Sequence, residues 1–262
     1  RFCRHLQIRC ERISEHPLFN FNRMEALYLT EEYSFDPVLL REYYTQRVEN
    51  HPGISVLKPV HLLAANTEGA DWTIEYKISD AAFKTQNSKL KTQIVINATY
   101  SATNSVNRIF GVGQLDLTHE ISEIAFITSR QFQNMGLTVM DGPFGSIMPY
   151  GLSGLLSLSS VAYTHHKISY ENLPRFDCQI PEDLRCTPEA PGICTECPRR
   201  PASNAYKMLQ QMQQYFSDAV QFEHLFSYFT IKSKLKANYI DDGRPTEIAQ
   251  LSNNPRFYCL FA

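Results

Sequence analysis

The chain has 262 residues, a formal net charge of −2 and 20% charged residues, so it lacks the broad field that would draw it to nucleic acid or an anionic membrane. Its 43% hydrophobic content, with 16 Phe and 14 Tyr, is that of a globular protein able to fill one large or two ordinary cores. No apolar run approaches the roughly 20 residues of a membrane helix. The opening Arg1-Phe2-Cys3-Arg4-His5-Leu6 has no signal-peptide core, and seven cysteines cannot all pair, so the expected compartment is the cytoplasm.

In chain order, residues 1–16 mix Arg, Cys, Leu and Ile at loose helical spacing. The clearest helix covers 31–50: Asp36 can cap it, Pro37 suits its first position, and Leu40, Tyr43, Tyr44 and Val48 share a face before Pro52-Gly53 ends it. Residues 54–63 and 72–78 read as strands, the second alternating through Trp72, Ile74 and Tyr76. Residues 87–91 read as a short polar loop. The run Gln93-Ile94-Val95-Ile96-Asn97-Ala98-Thr99-Tyr100-Ser101 follows, β-branched and apolar until it turns polar. It predicts a buried strand that delivers its backbone to something beyond its carboxyl end, where ligands bind in open α/β sheets. The sequon Asn97-Ala98-Thr99 lies in too apolar a context for glycosylation. Taken alone, Ala98 to Ser101 reads equally as a strand end serving its own backbone, and Val60 as a core valine.

From His119 the pattern changes. Residues 120–127 alternate as a half-buried strand, 136–140 and 145–149 flank the hairpin signal Asp141-Gly142-Pro143-Phe144, and 155–164 alternate again. Ser146, Met148 and Tyr150 lie two apart and share a strand face, with Pro149 interrupting the ladder; they suit the lip of a small-molecule pocket, or else simply pack the core. His165-His166 is expected as a surface pair, because strand neighbours point to opposite faces. Ser203 can cap a helix running to about residue 220, and 222–236 return as a long strand. These pieces suit an antiparallel sheet with a covering helix.

Between them lies a Pro-rich insert, 174–202, carrying Cys178, Cys186, Cys194 and Cys197. Four thiolates suit tetrahedral zinc, Cys194-Thr195-Glu196-Cys197 supplies one knuckle, and a metal would order a segment poor in core residues. Free surface thiols, a redox pair at Cys194 and Cys197, and an iron–sulfur cluster are the alternatives.

The run ending in Asn97-Ala98-Thr99, with Tyr33-Ser34-Phe35-Asp36-Pro37 and Gly53-Ile54-Ser55-Val56 before it and Asp242-Gly243-Arg244-Pro245 and Phe257-Tyr258-Cys259-Leu260-Phe261-Ala262 after it, resembles flavin-dependent oxidoreductases of the D-amino-acid oxidase and glycine oxidase type in kind and order. The resemblance implies FAD held by the backbone of Val60, Ala98, Thr99, Tyr100 and Ser101, with Gly usual where this chain has Tyr100. It implies a strand and Pro turn over the flavin at Ser146, Met148 and Tyr150. A substrate-carboxylate Arg-Pro pair is also implied, but Lys236-Ala237-Asn238 stands in its place, so either Lys236 or Arg244 substitutes or the substrate is not a simple amino acid. The family's Gly-x-Gly-x-x-Gly turn has no counterpart; the first glycine is Gly53 and Gly111-Val112-Gly113 lacks the third.

The expectation is therefore α/β plus α+β: a partial nucleotide-binding layer with an antiparallel-sheet substrate domain. Residues 1–118 would be a partial FAD-binding domain, 119–236 the substrate domain with its insert, and 237–262 the return segment. The chain reads as a fragment cut at both ends, inactive alone, from an enzyme that oxidises a small C–N or C–O substrate by hydride transfer to FAD. The alternative is a non-catalytic binding module, or a zinc-stabilised interaction module, that has lost the cofactor. A small-molecule substrate is the expected partner, with neither nucleic acid nor membrane; the oligomeric state is not legible.

Overall fold

A computed structural model describes residues 2–31, 33–58, 60–79, 85–140, 142–236 and 246–261. The chain divides into two compact units, one of Arg1–Asn50, Ser122–His166 and Pro201–Phe229, the other of His51–Ile121, Lys167–Arg200 and Thr230–Ala262. Its elements are mostly strands, and most of their pairings are antiparallel. Among the described residues no helix is long and apolar enough to cross a membrane.

The first unit begins with a short helix, α1 (Phe2–His5), and an antiparallel pair, β1 (Cys10–Ile13) with β2 (Leu27–Thr30). Helix α2 (Pro37–Glu49) starts where Asp36 accepts hydrogen bonds from the N–H groups of Val38 and Leu39 at 2.8 and 3.0 Å. The other Asp36 oxygen accepts from Leu152 N–H at 2.7 Å. The residues expected to form the apolar face of this helix bury nothing: Leu40, Tyr43, Tyr44 and Val48 are all exposed.

The core of this unit lies on one face of a sheet, where β8 (Leu137–Val139), β9 (Gly145–Pro149), β10 (Leu156–Ser160) and β7 (Leu117–Thr128) are successive neighbours. Ala125, Ile127, Ile147, Leu156 and Leu158 point from these strands into helix α5 (Ala205–Gln213), which presents Ala205, Met208 and Met212. Gly145 suits that packing, since a Cβ there would lie 2.5 Å from the Met212 sulfur and 3.2 Å from the Ser159 carbonyl oxygen and would make the methionine shift. Strands β11 (His165–Ser169) and β12 (Glu223–Leu235) also pair with β7, and α4 (Val161–Thr164) precedes β11.

The second unit holds an antiparallel meander, β3 (Val60–Glu68), β4 (Asp71–Ser79) and β5 (Thr85–Thr92), and a second sheet in the order β13 (Glu247–Asn253), β14 (Arg256–Phe261), β6 (Ile94–Asn97). The pairing of β14 with β6 is parallel, in register from Arg256–Ile94 to Cys259–Asn97. Trp72, Ile74, Phe110 and Phe257 form its core, and the Trp72 indole N–H donates to the Arg256 carbonyl at 3.1 Å. Helix α3 (Thr103–Ile109) follows β6 through a single 3-10 turn.

Four expectations need correction. Residues 87–91 belong to β5, because Lys89 pairs with Glu75 at 2.6 Å and Lys91 with Glu68 at 2.5 Å; exposed cross-strand charges, not apolar alternation, mark this strand. Strand β6 is not buried on both faces, since Ile94 and Ile96 are exposed, Ile96 at 66%. Strand β7 is buried on both faces through most of its length, with only Ile124 exposed, so its polar residues are internal. Helix α5 stops at Gln213, well short of 220.

Candidate functional site

The residues singled out at the carboxyl end of β6 are organised by one buried side chain. Asn97 donates from its amide nitrogen to the Thr103 carbonyl at 3.0 Å and to Asn107 Oδ1 at 2.7 Å. Its Oδ1 accepts from Thr99 N–H at 3.2 Å and from the Thr99 hydroxyl at 2.7 Å. One asparagine thus ties the strand end, the turn and α3 together. Asn104 holds the next loop in the same manner, donating to the Leu115 and Asn172 carbonyls at 2.8 Å each. Ala98 and Thr99 are exposed and Ser101 half-buried, while Val60 is half-buried at the start of β3.

Tyr100 is the exceptional member of the turn. Its φ is +53°, the left-handed region that glycine enters freely and a residue with Cβ enters at a cost of about 1–2 kcal/mol. The side chain is fixed from both ends. Its hydroxyl donates to the Ser233 carbonyl at 3.3 Å and accepts from Ser233 N–H at 3.2 Å, and its ring stacks on Phe261 with centroids 5.7 Å apart and planes 19° apart. Phe261 lies two residues beyond Cys259, the last β14 residue in register with β6. The resemblance puts a flavin phosphate close to this backbone. The main chain has the conformation that such an approach favours, but the side chain at residue 100 does not fit it. Nearby, Thr103 Oγ1 is buried with no hydrogen-bond partner among the described residues.

On β9 the side chains alternate: Ile147 is fully buried against α5, whereas Ser146, Met148 and Tyr150 are half-buried. Ser146 and Ser159 hydroxyls lie 2.9 Å apart across the β9–β10 pair. Tyr150 stands edge-on to Phe126 at 4.9 Å, and Phe126 is also contacted by Phe226 and Tyr228 at 4.9 and 5.2 Å. Of the two cations considered for a substrate carboxylate, Lys236 forms an ion pair with Asp116 at 2.5 Å. Arg244 lies outside the described residues, as does the rest of the Asp242-Gly243-Arg244-Pro245 motif.

His165-His166 is not a surface pair. His165 is half-buried, with Nδ1 2.9 Å from the Ser122 hydroxyl. The His166 side chain is 6% exposed and its Nε2 lies 2.8 Å from Glu123, whose own side chain is fully buried. Glu123 also accepts from the Ser203 hydroxyl and from Asn204 N–H at 2.8 Å. Burial pushes the Glu123 carboxyl up, yet hydrogen bonds from Ser203, Ser227, Asn204 N–H and His166 outweigh it and hold the group below its ordinary value. Sequence reasoning missed this carboxylate. The sole signal was a Glu in a strand otherwise read as half solvated, and only the buried second face reveals it.

The four-cysteine expectation is not supported. Among the described residues no group of three or more His, Cys, Asp or Glu side chains is placed to hold a metal ion. Cys178, Cys186, Cys194 and Cys197 are half-buried free thiols. Burial, and then the neighbouring Cys186, Cys178 and Cys197, push the Cys194 thiol up to about 11. The segment is held instead by Asp183, which takes Arg185 at 2.8 Å and Arg199 at 2.5 Å, while Arg199 also donates to the Cys178 carbonyl at 2.7 Å.

No family model matches the chain, and no curated protein matches it. Among solved structures it is similar to a flavoprotein/dehydrogenase from Cytophaga hutchinsonii, with a TM-score of 0.41 and 14% identity over 98% of this chain and 55% of that one. The chain therefore spans about half the length of that protein, and a likeness this weak carries no argument about function.

Proposed function

We propose that the chain is part of a flavin-dependent oxidoreductase acting on a small C–N or C–O substrate. The observation that carries the reading is the parallel pair β6–β14. The two segments that the resemblance ranks as flavin-side strands are far apart in sequence yet adjacent in space, with their carboxyl ends pointing the same way. That is the arrangement beyond which α/β sheets bind nucleotides. On this reading Val60, Ala98, Thr99 and Ser101 offer backbone and hydroxyl groups to FAD, while Ser146, Met148 and Tyr150 offer one apolar wall with two hydroxyls to the substrate. The carboxylate anchor is Arg244 or Lys236, the latter only by exchanging Asp116 for the substrate. When bound, flavin supplies the hydride acceptor; the protein's part is to position groups and exclude water.

Flavin content of the protein purified from its native source tests this. Absorbance at about 450 nm, released as FAD on denaturation, is the expected result, since the cofactor carries its own chromophore. Protein without flavin would overturn the reading. One feature favours the second reading, a non-catalytic binding module: residue 100 carries a Tyr side chain held by Ser233 and Phe261 where the resemblance implies Gly.

A further inference from the structure

We infer that Tyr100 is a latch on the nucleotide side of the second unit. Its side chain occupies the space outside the carboxyl ends of β6 and β14, and its release admits the phosphates of a dinucleotide. The inference rests on the flavin reading and adds to it a residue that decides whether the cofactor enters.

Three observations support it. First, the backbone at residue 100 keeps the left-handed conformation, with φ +53°, although the residue is Tyr; the turn retains a glycine-like path and the side chain is an addition to it. Second, the phenol replaces a missing strand neighbour. It both donates to and accepts from the main chain of Ser233 in β12, so one hydroxyl satisfies both groups of that residue. Third, the ring is stacked on Phe261, which pairs with Glu247 of β13 but lies two residues beyond the end of the parallel β14–β6 pairing, on the side where ligands of parallel strands bind. Tyr100 is 39% exposed, although the Phe261 it stacks on is buried in the core of the second unit. Its anchors are two hydrogen bonds and one stacking contact, all of which a single side-chain rotation breaks.

The test uses the full chain, Tyr100→Phe and Tyr100→Gly, with two readouts. Amide exchange at Ser233 reports the latch without any ligand. Tyr100→Phe removes the acceptor, and exchange there should rise at least tenfold while Phe229 and Ile231 in the same strand stay protected. Unchanged Ser233 exchange would show that the hydrogen bonds do not hold in solution and would overturn the latch. FAD titration then reports admission. Tyr100→Gly should bind at least ten times more tightly than the unaltered chain, with Tyr100→Phe between them. Equal FAD affinity in all three proteins overturns the latch and leaves the flavin reading standing. Absence of FAD binding in all three overturns the latch, and the flavin content of the protein from its native source then decides the flavin reading separately.

Discussion

At the scale of single residues, the buried ionisable groups give the sharpest expectations. His119 is buried on β7, with Nε2 3.3 Å from the Asn172 carbonyl and Nδ1 2.7 Å from the Ser233 hydroxyl. Burial, which outweighs the Asn172 hydrogen bond, holds its imidazole below the ordinary value of 6.5. A depressed folded-state value contributes stability that is present above 6.5 and lost as pH falls toward that lower value. Urea unfolding at pH about 7.5 and about 5.5 should therefore show a loss at the lower pH. His119→Asn should flatten that part of the dependence, and an identical slope in the variant would remove His119 as its source. Glu123 has the same sign at lower pH: its contribution is present above the ordinary 4.5 and lost as pH falls through its lowered folded value. For Cys194, a thiol near 11 leaves very little thiolate at neutral pH. Alkylation of Cys194 at pH about 8 should run roughly a hundredfold slower than that of a simple thiol. Mass-spectrometric mapping that finds it labelled at the simple-thiol rate would contradict the burial of that group.

At the scale of elements, what the sequence discloses depends on whether a segment's partners are local. The Asp36-Pro37 start of α2 is readable because the cap accepts from the N–H groups two and three residues on, at Val38 and Leu39. The β8–β9 hairpin is readable because Gly142-Pro143 marks its turn. Strand β5 is not, because its pairing with β4 and the ion pairs of Lys89 with Glu75 on β4 and of Lys91 with Glu68 on β3 all lie outside the segment itself. The Asn97 hub was half legible: the strand end and its polar residues stood out, while the bonds to Thr103 and Asn107 depended on the turn and α3. Tyr100 was flagged as a departure from glycine, but its anchoring by Ser233 lies 133 residues away and has no local trace. Packing of α5 on its sheet gives a direct check. Leu158 is fully buried there, so Leu158→Ala should cost about 2–5 kcal/mol of unfolding free energy. The exposed Leu152→Ala should stay within about 0.5 kcal/mol. Equal costs for the two would mean that α5 does not cover this face in solution.

At the scale of the whole molecule, each unit leaves apolar surface in water. In the first, α2 exposes Leu39, Leu40, Tyr43 and Tyr44; in the second, Ile94, Ile96, Ile248 and Leu260 are exposed on β6, β13 and β14. Parallel strands are ordinarily covered on both faces, so the exposed isoleucines of β6 are unusual for their type. Contiguous apolar patches promote association and dye binding. The folded chain should therefore bind the dye ANS, and Ile96→Lys and Leu39→Lys should each lower the signal without changing far-UV circular dichroism. Dye binding that neither substitution alters would place the accessible apolar surface elsewhere.

The long span of the β6–β14 pairing also fixes an order of events during synthesis. The meander β3–β5 joins consecutive strands and can form as soon as it emerges, whereas the Trp72 indole finds its Arg256 carbonyl only 184 residues later. Closing so long a loop is only modestly more costly than closing a short one, each doubling adding about 0.6 kcal/mol, but it is slow. Until Arg256–Phe261 leaves the ribosome, β6 lacks the one strand that pairs with it among the described residues, and its branched apolar residues face water with an open edge. Nascent chains halted before residue 256 are thus the species on which chaperone binding and aggregation should concentrate, and release past that point is the step that removes the hazard.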